Sequence, residues 1–277
     1  MLTKNSRSAA QQAQDKLLAL LAARKAPTSD ELKQLILGLD DHRVLARAVL
    51  LEGTPFIFEH RPVIYAIFRE QLAERFEIGS QDVCIVGSAK LGYSPSSHKF
   101  GAPFAETAEV DVAIVSEPLF HRGSQQLFEI LNQLEPSVYE VKSTRFEKNR
   151  ALPVVDLNNW IKVKDSIRNF VYQNFNPALL PQDHTLRHEI VKNLASTSAL
   201  FLALEPQVFV AKIRCRVFRN WRFAEDYYAE TLRVARFSLA GGVHPEPETE
   251  DDEELLPAAK PLSVLAAAAA QSSAKSN

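Results

Sequence analysis

Two cysteines, one methionine and nine glycines are scattered through 277 residues. Two thiols are too few for a disulfide framework. Cys84 sits inside an apolar run, where a thiol serves as a small core side chain. No apolar run approaches the roughly 18 residues that a membrane span needs. "VLAAAAAQ" near the C-terminus is too short and too weakly apolar. The first residues, "MLTKNSRSAAQQAQDKLLALLAARKAP", lack the uninterrupted apolar core of a secretory signal. These absences predict a cytoplasmic protein with no membrane partner. A strong charge of either sign is also missing. The net charge is −2, which excludes wholesale coating of nucleic acid. From Glu246 onward there are seven acids against two lysines, a balance of −5, so the rest carries +3 of the −2 total. A mildly basic body suits an anionic ligand.

What is present is an ordinary globular composition, 46% hydrophobic and 24% charged. Residues 10–25 read as a helix, with Leu17, Leu18, Leu20 and Leu21 grouped on one side. Thr28, Ser29 and Asp30 offer N-caps to a second helix, "ELKQLILGL", and Asp40-Asp41 to a third that stops at Gly53. Pro62 opens an amphipathic helix with Ile64, Ile67, Phe68, Leu72 and Phe76 along one stripe. "GSQQLFEILNQL" reads as a helix ending before Pro136, "HTLRHEIVKNLAS" as another, and "WRFAEDYYAETLRVARFSL" as a last one closed by Gly241-Gly242. "QVFVAKIRCRVF" alternates like a strand, with Lys212, Arg214 and Arg216 on one face. The expected fold is α/β (α+β), a small mixed sheet wrapped by helices. The expected organisation is a helical N-terminal region at 1–60, a main domain at 61–242 and an acidic, then alanine-rich tail at 243–277. That tail has too few large apolar residues to bury and is expected to be disordered.

The chemistry concentrates in "VCIVGSAKLGYSPSSHKFGAPFAETAEVDVAIV", from Val83 to Val115. An apolar strand runs into Gly87-Ser88. After a long loop a second apolar strand carries Glu109 and Asp111. Residues i and i+2 of a strand share a face, so these carboxylates stand side by side. Each raises the cost of ionising the other, and a hard cation bridging them removes that penalty. Gly87 lets backbone approach a ligand closely. If a helix starts at Ser88, its N–H groups and the hydroxyl suit a phosphate.

This combination resembles the DNA polymerase β-type nucleotidyltransferase superfamily over roughly residues 64–135. "GSAKLG" follows its Gly-Ser helix start, and "EVDVAIV" its strand with two carboxylates. Glu109 stands where aspartate is commoner and Ala108 where serine is frequent. The resemblance implies Mg²⁺-dependent transfer of a nucleotidyl group from an NTP to an acceptor hydroxyl, on a protein, an RNA 3′ end, a nucleotide or a small molecule. It allows a toxin–antitoxin or phage-defence setting. It implies that Gly87, Ser88 and Lys90 hold the triphosphate and that Glu109 and Asp111 bind the metal. It also implies a third carboxylate on a later strand, with Asp156 the first candidate and Glu140 the second. The alternative is a catalytically inactive interaction module on the same fold.

Other residues carry weaker signals. His98 and Lys99 lie in the long loop, within reach of phosphates or simply solvated. Lys212, Arg214 and Arg216, with Arg219, Arg222, Trp221, Tyr227 and Tyr228 nearby, make either an anion-binding face or an edge strand protected by charge. His184 and His188 have the i, i+4 spacing of a helix, without a third ligand, and read as helix surface. Truncation after Gly242 is expected to leave the melting temperature unchanged in calorimetry. A drop of several degrees would show instead that the tail packs against the body.

Overall fold

The computed structural model describes residues 8–23, 25–105, 109–143, 166–180, 184–204 and 212–242. The acidic tail and Asp156 lie outside them. Helix α1 (Ala9–Ala23) buries Ala13 and Leu17, while Leu18 and Leu21 point to solvent. At 100° per residue four neighbouring leucines cannot all share a face. Helix α2 (Ser29–Gly38) starts at Thr28. The Thr28 hydroxyl accepts from the Glu31 N–H, and the Glu31 carboxylate accepts from the Thr28 N–H. Such a reciprocal cap satisfies two end donors at once and stabilises a helix by about 1 kcal/mol. Helix α3 (His42–Ala46) is capped by the Asp41 carboxylate and widens into a π-turn at Arg47–Leu51. Helix α4 (Pro62–Phe76) has proline at its first turn, where no N–H is missed. It buries Tyr65, Phe68, Leu72 and Phe76, leaving Ile67 exposed.

The sheet has four strands: β1 (Val83–Ile85), β2 (Val110–Val115), β3 (Asn174–Phe175) and β4 (Ile213–Phe218), in spatial order β1-β2-β4-β3. β1 is antiparallel to β2, β2 parallel to β4, and β3 antiparallel to β4. The mixed α+β class read from the sequence is therefore the one observed. β4 pairs with β2 along its length and with β3 only at Val217 and Phe218, so among the described residues the stretch carrying Lys212, Arg214 and Arg216 is paired on one side.

Helices cover both faces. On one face Val83, Ile85, Val110, Val112, Ile114, Ile213, Cys215 and Val217 join a cluster with Phe68, Leu127 and Ile190. Those come from α4, from α6 (Glu117–Ser143) and from α7 (Thr185–Leu204). The Phe68 ring meets Phe201 edge-on at 5.2 Å and Phe58 at 5.8 Å, tying α4 to α7. Such pairs contribute about 0.5–1.5 kcal/mol beyond their buried area. On the other face Cys84, Val86, Ala113, Val115 and Phe218 meet Leu17, Leu35, Leu45 and, from α8 (Trp221–Leu239), Leu232. The N-terminal helices thus share the cover of this face with α8. One buried cluster draws on both sides of the boundary expected at residue 60.

Helix α6 begins at Glu117 rather than Gly123, with the Ser116 hydroxyl accepting from the Leu119 N–H. It runs through Pro136 to Ser143, so Glu140 is helical. Among the described residues no helix is long and apolar enough to cross a membrane.

Both cysteines and Tyr65 are buried, and burial pushes each up to about 12. Their ordinary values are 9.0 for the thiols and 10.0 for the phenol. The unfolded chain therefore releases these protons first. Their contribution is whole below pH 9 and is lost as pH rises toward 12. Lys90, pushed down from 10.5 to about 8 by burial, works oppositely and gains from pH 8 upward. Burial also raises the Tyr93 and Tyr228 hydroxyls, so five groups oppose one and the melting temperature should fall above pH 9. A Cys84→Ala/Cys215→Ala variant should flatten that fall. A wild-type melting temperature constant to pH 11 in calorimetry would contradict this account.

Candidate nucleotide site

β2 is buried along its length except at Asp111. Val86 extends the pairing of β1 by donating its N–H to the Asp111 carbonyl at 2.9 Å. The next residue is Gly87, at φ +66°, and it begins the short helix α5 (Gly87–Leu91). A Cβ on Gly87 would lie 3.1 Å from Asp111 Oδ2. Both the left-handed backbone and the close carboxylate therefore call for glycine here. The sequence signal expected Gly87 to make room for a ligand. In the structure Gly87 also makes room for Asp111, and Gly-Ser and the acidic strand do meet.

Ser88 is half-buried beside this turn. α5 is only five residues long, too short to sum its peptide dipoles into a strong anion site. Lys90 is buried, with its ammonium donating to the carbonyls of Glu52 and Gly53, the latter at 2.8 Å. Instead of reaching into solvent for a phosphate, it pins α5 to the end of the π-turn. Without the compensation of those carbonyls a buried ammonium is costly, and burial is the first cause of its lowered pKa.

Glu109 lies one residue before β2. Val110↔Ile213 and Asp111↔Arg214 are in register, and the Val110 N–H donates to the Lys212 carbonyl at 2.8 Å. Alternation then sends Glu109, Asp111, Lys212 and Arg214 to one face. The Glu109 carboxylate is 2.9 Å from Lys212 Nζ and 2.5 Å from Arg214 Nε. All three side chains keep 26–29% of their exposure, so water screens this cluster less than a surface pair. Sequence reading listed these cations as a separate surface. The alternation placed them together, but nothing local names the neighbouring strand.

The rest of the basic group is engaged elsewhere. The Arg216 guanidinium lies 4.6 Å over the Tyr227 ring and donates to Asn174 Oδ1 at 3.0 Å. Arg219 pairs with Glu117 at 2.8 Å and donates to Gln173 Oε1. Trp221 donates its indole N–H to Asp82. Tyr228 is buried; burial pushes its hydroxyl well up, with Tyr227, Cys84 and Asp111 adding to the effect.

A carboxylate-bridged metal pair does not fit the described residues. Glu109 already serves two cations, and Arg214 holds the β4 position that faces Asp111. Two like unit charges 4 Å apart near a protein surface repel by about 4 kcal/mol, and a divalent ion doubles that. No group of three His, Cys, Asp or Glu among the described residues is placed to hold a metal. Glu140 is on α6, and Asp156 lies outside the described residues.

His98 and Lys99 are exposed on a loop that is fastened down. The Tyr93 hydroxyl donates to the Pro27 carbonyl at 2.9 Å, and Tyr93 bridges to Pro103. His184 corrects the helix-surface reading. It is buried ahead of α7, with Nε2 3.1 Å from the Gly123 carbonyl, while His188 is exposed. A cleft of about 390 Å³ opens beside β1, between Arg47, Glu52, Tyr65, Arg69, Trp221 and Glu225. Arg47 pairs with Glu225 there, and Arg69 donates to the Ser80 carbonyl.

No protein-family model, no curated protein and no solved structure matches the chain.

Gly87→Ala should cost about 1–2 kcal/mol from its left-handed backbone alone, which lowers the melting temperature by roughly 2–6 °C. The cost should shrink in an Asp111→Ala background, where the nearest atom is gone. Equal costs in the two backgrounds, measured by denaturant titration, would show that the carboxylate does not press on the turn.

Proposed function

We propose that this chain is a nucleotidyltransferase, binding a nucleoside triphosphate where the Gly87 turn meets Asp111 and the start of β4. The acceptor hydroxyl oxygen bonds to the α-phosphorus. The bond from that phosphorus to the bridging oxygen breaks, and pyrophosphate leaves with the electron pair. The hydroxyl proton passes to a base, for which Asp111 is the carboxylate at the turn. One observation carries this reading: the left-handed Gly87 backbone sits against the Asp111 carboxylate, so close that a Cβ there would lie 3.1 Å from Oδ2. The arrangement is the one expected of a Gly-Ser turn serving an acidic strand. The resemblance implies a protein or RNA hydroxyl as acceptor; it also implies Mg²⁺, for which the described residues offer no matching set of ligands.

A second reading has one observation in its favour. Arg214, a cation, faces Asp111 across β4, where a third carboxylate on a later strand would complete a catalytic set. On this reading the domain binds nucleotide and signals through a partner without transfer.

The test incubates the full chain with each of the four α-labelled NTPs and Mg²⁺ and follows pyrophosphate and label. Release of pyrophosphate, reduced at least about a hundredfold by Asp111→Asn, supports the transferase. Binding without release selects the second reading. An Asp111→Asn variant with full turnover would remove Asp111 from the chemistry.

A further inference from the structure

The junction proposed above leaves open which groups grip the phosphates, and this inference rests on that proposal. The groups first expected to do so are poorly placed. α5 is one short turn, and the Lys90 ammonium is spent on backbone carbonyls. The described cations that share the face of Asp111 at this end of the sheet are Lys212 and Arg214. Both pair with Glu109 in a partly buried cluster. With Asp111 on the same face, opposite Arg214, the cluster holds two acids and two cations, and neutralising Glu109 leaves a unit of positive charge. A guanidinium presents the planar donor fork that matches phosphate oxygens, and an ammonium supplies a point charge.

We propose that Lys212 and Arg214 form the polyphosphate clamp of this site and that Glu109 is its internal placeholder. The carboxylate occupies both cations until a ligand polyphosphate displaces it. Glu109 then competes with the ligand rather than helping to bind it through a metal. The two roles predict opposite signs for one nearly isosteric change. Loss of the charge in Glu109→Gln takes this carboxylate's hold off both cations, leaves the cluster one charge more positive and tightens polyphosphate. Loss of a metal ligand weakens it.

Isothermal titration of the full chain decides, using ATP, tripolyphosphate and adenosine, each in EDTA and in Mg²⁺. The expected results in EDTA are measurable ATP binding, about fivefold tighter in Glu109→Gln. Lys212→Gln and Arg214→Gln should each bind about tenfold more weakly. The affinity should fall with added salt. Adenosine should not bind. Tripolyphosphate as tight as ATP assigns recognition to the phosphate chain alone, and ATP much tighter assigns it to the nucleotide; either supports the clamp. Thermal melts show that each variant is folded, and Glu109→Gln carries the test if an arginine or lysine variant is not.

Weaker binding in Glu109→Gln, or binding that appears only with Mg²⁺, overturns the clamp while leaving the transferase reading intact. Tighter binding of a single-stranded oligonucleotide than of ATP overturns it as well. ATP failing to bind the wild type and every variant, with Mg²⁺ and without, removes the nucleotide reading itself.

Discussion

The parallel pairing of β2 with β4 is the constraint on which the rest of this molecule depends. Six residues of each strand are in register, from Val110↔Ile213 to Val115↔Phe218. The far end of this ladder is fixed by the core: Val115 and Phe218 are buried on the α8 face together with Leu232. A shift of one residue would turn Arg214 and Arg216 into the opposite core and take Cys215 and Val217 out of it. A shift of two would keep the faces but bring Arg216 to Asp111 and pull Phe218 off Val115. Apolar packing at one end of the strands therefore selects which arginine faces the acid at the other.

The same geometry explains why the site opens where it does. Ala113, Val115 and Phe218 lie beneath helices, and Arg216 is covered by the Tyr227 ring. One pair further along, at Asp111 and Arg214, Asp111 is exposed. Polar side chains at that end need no apolar cover, so two acids and two cations can stand together at the margin of a buried sheet. In the middle of the sheet the same four charges would each suffer desolvation, at a cost of several kcal/mol per ion.

Much of this was legible in the sequence because it is local. Thr28 with Glu31, Asp41 before His42, and Pro62 at a first turn each announce a helix start through hydrogen bonds made within four residues. The two strands around the Gly-Ser turn were legible because both read as short apolar runs, as strands buried on both faces must. The start of α6 was missed although its signal was present, since Ser116-Glu117-Pro118 is a cap followed by a first-turn proline. What was not legible is long-range. Alternation put Lys212, Arg214 and Arg216 on one face, but it cannot show that the neighbour of β4 is β2. Nor does the spacing of His184 and His188 reveal that one ring is buried against the Gly123 carbonyl. Lys90 occupies the position expected of a phosphate-binding lysine, and only the packing of the π-turn shows where its ammonium goes.

The Glu109 carboxylate shows how one partner changes what a motif means. Read alone, Glu109 and Asp111 are two anions on one face that invite a cation to relieve their repulsion. The fold supplies cations of its own, at 2.9 and 2.5 Å from Glu109. Two amino-acid cations then occupy the place that a metal would take in a purely acidic site. They differ from a metal in one respect that matters for function. A metal binds carboxylate and phosphate together, as ligands of one centre, whereas a lysine and an arginine paired with a carboxylate carry less net charge for a phosphate until that carboxylate moves away. On the clamp proposed above, Glu109 and a polyphosphate are therefore rivals for the same charge, whereas Asp111, set against Gly87 and exposed, stands apart from that exchange.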